Sequence, residues 1–226
     1  FESLNPFLLK SLAPTGLTNL VFETLMERSL DEPSSSYGHI AYKYILAENG
    51  LSVTYYIKNN AKFSNGDDIT ANDVKFSFET LISKDAHPQY RIYWADIKAV
   101  KVLGRKSIKF IFDKKNPELH MTIGDIPIFS KKWFESKKFS DSILDKPIAS
   151  GPYIIDDYQT GKYIHYKKNP NYWGANEPTR SGMFNFDKII FKYYKDMTVA
   201  LEAFKAGEYD FIHENHSKRW ARDYSG

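Results

Sequence analysis

The amino-acid sequence predicts an α/β protein with a mixed sheet, because strand-like and helix-like segments follow one another without a strict repeat. Alternating apolar residues predict strands in two stretches, and an amphipathic stretch that begins with a capping signal predicts a helix. The chain of 226 residues is 42% hydrophobic and 16% aromatic, which is enough to form a sizeable core. A disordered segment would contain fewer aromatic residues.

The composition also excludes several functional classes. Without cysteine, the chain has no disulfide framework, no thiolate zinc site and no cysteine nucleophile. No apolar run approaches the roughly 20 residues that span a bilayer, and the formal net charge of +3 does not favour a nucleic-acid partner. Because the chain begins with Phe1 and not with Met, we expect it to be an excerpt of a longer gene product.

The N-terminal part of the chain predicts a helix, a loop and a strand in that order. Apolar residues recur at helical spacing over residues 15–28 and predict an amphipathic helix. Residues 31–36 are rich in turn-forming side chains and predict a loop. In residues 51–57 the apolar positions alternate, which is typical of a half-buried strand.

A helix over residues 70–82 has the strongest local signal. Thr70 is placed to cap this helix, and Asp73, three residues later, completes the pattern of a capping box. Further along, we expect short helices at 131–138 and 198–206, a hairpin of 153–157 with 162–168, and strands at 99–103, 108–112, 187–193 and 209–212.

Signatures of catalysis and of metal binding are weak. The chain lacks a glycine-rich phosphate loop and a nucleophile elbow. His213 and His216 flank Glu214, but the second histidine comes one residue too early for a zinc-protease helix. We therefore assign no catalytic residue, no metal ligand and no cofactor.

Four segments in a fixed order resemble the motifs of family 5 solute-binding proteins, the extracytoplasmic peptide, nickel and dipeptide receptors of ABC importers. The first runs from a strand through an Asn-Gly-Asp turn to a helix start, and Asn65 stands where the family more often has Asp. The segments lie at residues 51–78, 147–153, 168–174 and 200–210. Residues 3–7, 23–26, 31–33 and 87–94 look like the Yej-type branch, which is associated with oligopeptide and microcin C uptake.

The resemblance implies a periplasmic binding protein type II-like fold, in which two lobes close on a ligand. It places the main part of the first lobe at residues 1–40 and 146–226, and a smaller inserted α/β subdomain at 41–145. The second lobe would be absent from this chain, so we expect the chain to bind ligand more weakly than an intact receptor.

The function that the resemblance implies is capture of oligopeptides or peptide-like compounds for import, without catalysis. The expected partners are an inner-membrane ABC permease and its ATPase subunits, and no nucleic acid is expected to bind. The receptor itself is expected to be a monomer that is periplasmic or lipid-anchored. Alternatives are the same receptor with haem, a nickel complex or an oligosaccharide as cargo, a hydrolase acting on the cell wall, or a protein that binds another protein through exposed aromatics.

Three groups of residues are expected to contact the ligand. The first group would present backbone groups to a peptide as a strand does, and it comprises Lys10, Ser11, Leu12 and Ala13. The second combines aromatic area with a guanidinium that can hold a carboxylate, and it comprises Tyr90, Arg91, Tyr93 and Trp94. Ser150 and Gly151 form the third group. Alternatively, Tyr93 and Trp94 belong to the core and Arg91 belongs to the surface. Tyr172 and Trp173 are expected to be packing residues.

Overall fold

The computed structural model describes residues 1–8, 12–32, 34–135, 137–141 and 143–224. Its α-helices are α1 (Leu17–Val21), α2 (Ala71–Leu81), α3 (Gln89–Tyr93), α4 (Leu119–Gly124), α5 (Lys131–Glu135), α6 (Met197–Lys205) and α7 (Ser217–Asp223). Its strands are β1 (Met26–Arg28), β2 (Ser36–Gly38), β3 (Ala41–Leu46), β4 (Ser52–Ile57), β5 (Ile97–Gly104), β6 (Ser107–Phe112), β7 (Tyr153–Gln159), β8 (Tyr163–Lys168) and β9 (Lys188–Lys192).

The described strands form three antiparallel sheets and not one mixed sheet. β1 pairs with β2, the second sheet has the order β3-β4-β6-β5, and the third has the order β7-β8-β9. Most neighbouring strands follow each other closely along the chain, and a short connection permits only antiparallel pairing. The α/β class itself is confirmed, since helices pack against these sheets.

The four-stranded sheet and α2 form the best-defined part of the core. Val53, Tyr55 and Phe110 point to one face of this sheet and are completely buried, as the two-residue period of a strand requires. Phe78 of α2 packs edge to face against Phe110, with 5.6 Å between the ring centroids. The helix therefore covers this inner face, and the opposite face of the sheet carries the polar positions of the same strands.

Asp73 performs two structural tasks at the start of α2. Its carboxylate accepts hydrogen bonds from the backbone N–H and the hydroxyl of Thr70, at 2.9 Å and 2.5 Å, so the predicted capping box is present. Its second oxygen accepts from the backbone N–H of Lys131 at 3.0 Å. One side chain thus satisfies the helix terminus and also fixes the beginning of α5.

Two sequence predictions of secondary structure are wrong. The apolar pattern over 15–28 does not continue as one helix, because the chain becomes extended at Phe22 and enters β1. Residues 209–212 form no strand in the described chain, which continues to α7. In the first place the packing partners come from distant segments, as when Phe22 packs on Phe129, and periodicity does not reveal them. In the second, Tyr209 packs on the nearby Phe204 of α6 and Phe211 is 79% exposed, so the alternation does not reflect a half-buried strand.

The sheets lie on either side of the sequence boundary expected between the two subdomains. The four-stranded sheet lies within residues 41–145 and the β7-β8-β9 sheet within 146–226. Packing crosses this boundary: the rings of Phe7 and Phe129 have centroids 4.6 Å apart. The division into a main part and an insertion stays a prediction.

A like-charged pair on the four-stranded sheet gives a stability prediction. Lys101 of β5 and Lys109 of β6 are directly opposite each other, and like charges in this arrangement destabilise a sheet. We expect Lys101→Glu to raise the free energy of unfolding by roughly 0.2–1 kcal/mol, measured by urea denaturation. Lys98→Glu is the control, because Lys98 already has Asp113 at 3.8 Å and charge reversal there should not stabilise. A stabilisation of equal size in both variants would contradict the prediction.

Candidate ligand-binding surface

The backbone of the N-terminal segment lies beside the chain that enters α3. Leu8 forms an antiparallel bridge with Ala86, and the backbone N–H of His87 donates to the carbonyl of Phe7 at 2.9 Å. These contacts place the chain that precedes the first predicted ligand group beside the chain that precedes the second. Backbone hydrogen bonds of this kind hold one extended segment of chain next to another.

The first predicted group is only partly described. Lys10 and Ser11 lie outside the described residues. The side chain of Leu12 is 75% exposed, and its carbonyl accepts a hydrogen bond from the backbone N–H of Glu2 at 3.0 Å. Ala13 is half-buried. An apolar leucine side chain with this exposure offers area to a ligand or to another segment.

Helix α3, together with its C-terminal cap Trp94, divides the second predicted group between two faces. Tyr90 and Trp94 are four residues apart and point inward, where their rings stack with centroids 5.5 Å apart. Trp94 is buried and donates through Nε1–H to the carbonyl of Thr122 at 3.3 Å. Tyr93 points outward and is 60% exposed. The sequence prediction had no helix here and therefore treated these aromatic residues as equivalent.

The polar atoms of α3 differ in their surroundings as well. Burial raises the pKa of the Tyr90 hydroxyl, because the phenolate would lose its hydration. Arg91 donates from Nη1 to the carbonyl of Ser83, which anchors the guanidinium on the protein. Next to it, Ile92 is 73% exposed. Ile92 and Tyr93 are thus the apolar side chains of α3 that are most available for contact.

Ser150 and Gly151, the third predicted group, lie inside the protein. Ser150 is fully buried, and its hydroxyl has no hydrogen-bond partner among the described residues. The backbone N–H of Gly151 donates to the carbonyl of Val21 at 2.9 Å. A Cβ atom at position 151 would lie 2.6 Å from the carbonyl oxygens of Leu20 and Val21. The close approach of two backbone segments therefore requires glycine here.

A buried polar cluster around Glu23 has no counterpart among the site residues predicted from the sequence. The Glu23 carboxylate accepts from Trp173 Nε1–H at 2.9 Å and from the Tyr172 hydroxyl. His39 Nε2 lies 2.7 Å from Glu23 Oε1, and Arg180 Nη2 lies 3.6 Å from the same oxygen. All these side chains are buried or half-buried. We name this set of five residues the Glu23 cluster.

The Glu23 cluster confirms that Tyr172 and Trp173 are packing residues, and it adds a polar function to their packing. Burial, followed by the neighbouring Glu23, raises the pKa of the Tyr172 hydroxyl. Arg180 extends the cluster to Glu27, whose carboxylate it contacts at 2.8 Å. The signal available in the sequence was a glutamate among apolar neighbours at 21–25, which an amphipathic helix would have turned to solvent.

The described residues contain no cluster of three or more His, Asp or Glu side chains that could hold a metal ion. Glu214, between the two histidines noted above, is instead paired with Arg219 at 2.8 Å. Among the described helices, none is long and apolar enough to cross a membrane.

Comparison with known proteins gives one family and several relatives. The sequence profile of the bacterial extracellular solute-binding proteins, family 5 Middle, matches residues 37–225. In Agrobacterium fabrum, the probable peptide-binding protein YejA is 35% identical over 232 residues, covering 99% of this chain and 37% of YejA. The peptidoglycan-binding protein YepA of the same organism is 32% identical over 234 residues, covering 100% of this chain and 38% of YepA.

Solved structures share the fold. The oligopeptide-binding protein AppA from Bacillus subtilis, in complex with a nonapeptide, superposes with a TM-score of 0.79 at 22% identity. The superposition covers 98% of this chain and 43% of AppA. The chain spans about 38% of the length of the curated relatives it matches.

Proposed function

Because this chain belongs to the family 5 bacterial extracellular solute-binding proteins, we propose that it is part of a receptor for oligopeptides or peptide-like compounds. The receptor captures its ligand in the periplasm and delivers it to an ABC permease and its ATPase subunits. It binds as a monomer and does so without catalysis. The similarity to the YejA protein of Agrobacterium fabrum, which is named as peptide-binding and matches 99% of this chain, carries the proposal.

Exposed side chains after the N-terminal segment and on α3 have the chemistry that peptides need, and the proposal joins them into one binding surface. Leu12, Ile92 and Tyr93 have exposed side chains that offer apolar and aromatic area, and aromatic contacts involve few rotatable bonds. The backbone around residues 12–13 would pair with the main chain of the ligand as a neighbouring strand does. Peptides with different side chains could therefore bind, because the hydrogen bonds go to main-chain groups that all peptides share. Tyr90 and Trp94 support this surface from the inside.

A cell-wall peptide is the second candidate for the ligand. The relative YepA is named as peptidoglycan-binding and is 32% identical over the whole of this chain. The peptide portion of such a ligand presents the same main-chain groups, so the same surface would serve both. The two candidates differ in the part of the ligand that lies outside the peptide.

Thermal stability of the full-length protein tests the proposal. A ligand present at about a hundred times its Kd stabilises the folded state by roughly 2.7 kcal/mol, so a mixture of short peptides is expected to raise the Tm. Cell-wall muropeptides are compared in parallel to separate the two candidates. An unchanged Tm across a broad peptide library and the muropeptides would refute the proposal.

The role of Tyr93 is tested separately. We expect Tyr93→Ala to weaken peptide affinity about tenfold, the effect of losing an aromatic contact at a binding surface. Tyr42→Ala is the matched control, because Tyr42 is also 60% exposed but lies on β3. Equal affinities of the two variants would remove Tyr93 from the proposed binding surface.

A further inference from the structure

The outer face of the four-stranded sheet carries a set of lysines that the proposed receptor function does not use. α2 packs against the inner face through contacts such as Phe78 with Phe110. Lys109 alternates with the buried residues Ile108 and Phe110 on β6 and therefore points to the outer face. Lys101 is its direct partner on β5. Lys43 belongs to the same face, since its Nζ lies 5.8 Å from the centre of the Tyr56 ring.

We name Lys43, Lys101 and Lys109 the lysine face. The four strands of this sheet contain no aspartate and no glutamate, and their other lysine is Lys98. Lys98 has Asp113 within 4 Å, but no carboxylate of the described residues lies within that distance of the three lysines of the lysine face. Among the described residues, therefore, no ion pair neutralises the positive charge of this surface.

Protection of the sheet edges explains only part of this arrangement. Lysines on edge strands prevent pairing with other molecules, and Lys43 and Lys101 lie on the edge strands β3 and β5. Lys109 lies on β6, which has a neighbour on both sides. Its position opposite Lys101 destabilises the sheet, so a function outside the folded chain is the better reason for it.

The surroundings of the lysine face add one further lysine and aliphatic area. The turn between β5 and β6 contains Lys106 and Arg105, which line a cavity of about 370 Å³ at the rim of the sheet; the charge of Arg105 is already paired with Asp68 at 2.7 Å. Lys106 Nζ donates to the carbonyls of Ile69 at 2.7 Å and Lys58 at 3.2 Å, and its third N–H is available to an anion. Leu103 is 55% exposed on the adjacent strand.

We propose that the lysine face binds an anionic lipid surface. Lys101 and Lys109 lie outside the rim cavity, on an open face of the sheet. Such a face suits an array of mobile phosphate headgroups better than a rigid partner, which would need a surface of complementary shape. Lysines near such a surface are attracted to it individually, and exposed aliphatic side chains such as Leu103 contact the interface. The attraction would hold the protein near a membrane irrespective of the ligand that it carries.

Co-sedimentation with lipid vesicles tests the proposal. The protein should sediment with vesicles of equal parts phosphatidylglycerol and phosphatidylcholine and stay in solution with pure phosphatidylcholine. Each lysine contributes roughly a fivefold gain in partitioning, so the triple variant Lys43→Gln, Lys101→Gln, Lys109→Gln is expected to lose about a hundredfold. Molar salt should abolish binding of the unmodified protein, because it shortens the Debye length to about 3 Å.

A second triple variant provides the matched control. Lys84, Lys195 and Lys218 are exposed, as are Lys43 and Lys101, whereas Lys109 is half-buried. The three control lysines have no carboxylate within 4 Å among the described residues and lie outside the four-stranded sheet. Replacing these three by glutamine gives the same net charge and should leave vesicle binding within about twofold, since none of them belongs to the lysine face.

Three results would overturn the proposal. The first is absence of sedimentation with the anionic vesicles. The second is an equal loss in both triple variants, which would indicate an effect of net charge alone. The third is binding of soluble polyglutamate, but not of vesicles, in a manner that depends on the lysine face, because the partner would then be an acidic protein. None of these results bears on peptide binding, so the proposed receptor function is tested independently.

Discussion

Replacement of Glu23 by alanine is expected to lower the free energy of unfolding by about 3–5 kcal/mol, the usual effect of removing one partner from a buried ion pair. The Glu23 side chain is 1% exposed and that of Arg180 is 7% exposed. Without the carboxylate, the Trp173 Nε1–H and the Tyr172 hydroxyl lose their acceptor in the interior. Each buried donor without a partner adds about 1–3 kcal/mol of destabilisation.

Glu27→Ala is the control for this effect. Glu27 also contacts Arg180, at 2.8 Å, but its side chain is 33% exposed, so water can replace it, and we expect a loss of about 1 kcal/mol or less. Glu23→Gln keeps the shape and one acceptor oxygen and should lie between the two. Urea denaturation monitored by tryptophan fluorescence measures all three variants. Equal destabilisation by Glu23→Ala and Glu27→Ala would show that the burial of Glu23 does not determine the free-energy loss.

If Glu23→Ala does not fold, the milder variant still decides the matter. Glu23→Gln retains an acceptor for Trp173 but removes the charge facing His39 and Arg180. A Glu23→Gln variant as stable as the unmodified protein would therefore exclude a role for charge in the Glu23 cluster, and a loss of about 1–3 kcal/mol would support it.

Replacement of Gly151 by alanine is expected to destabilise the protein by about 3 kcal/mol, the upper end of the usual range for overpacking, because the new methyl group meets backbone atoms and not a flexible side chain. The Cβ atom would lie 2.6 Å from the carbonyl oxygens of Leu20 and Val21. To relieve this overlap, the start of β7 must move away from the end of α1, which weakens the hydrogen bond from the Gly151 N–H to the Val21 carbonyl.

Gly104→Ala, at the end of β5, is the matched control. A Cβ atom at position 104 would meet the Ser107 hydroxyl at 3.2 Å, and this side chain can rotate away. We expect a change of about 1 kcal/mol or less. Thermal denaturation of both variants measures the difference, and equal Tm values would contradict the steric account. Because Gly151 is also a predicted ligand residue, a loss of ligand binding in its variants is interpretable only at temperatures at which they are folded.

The parts of the fold that could be predicted are those in which local signals agree. The α2 segment has its cap, its apolar face and its preceding turn within about a dozen residues, and the structure has the helix at Ala71–Leu81. β6 has strict alternation and was predicted for the same reason. β3 was missed because five of its six residues are exposed, so the apolar side chains of this edge strand show no alternation.

Long-range contacts explain what the sequence did not reveal about the candidate site. Tyr90 and Trp94 could be separated from Tyr93 only after α3 was known, since the helix turns them to opposite sides. Glu23 has its partners about 150 positions away, at Tyr172 and Trp173. Propensity and periodicity act over one or two turns of chain and contain no information about such partners.

The same long-range contacts set the order in which the molecule can fold. Ser3 bonds to Ile143 across 140 positions, and Tyr166 bonds to Thr15 across 151. Closing loops of this length costs more entropy than closing the β5–β6 hairpin, whose strands are separated by a two-residue turn. The N-terminal segment that carries Ser3 and Thr15 can therefore reach its final packing only after Ile143 and Tyr166 are in place, while the four-stranded sheet can assemble from neighbouring segments.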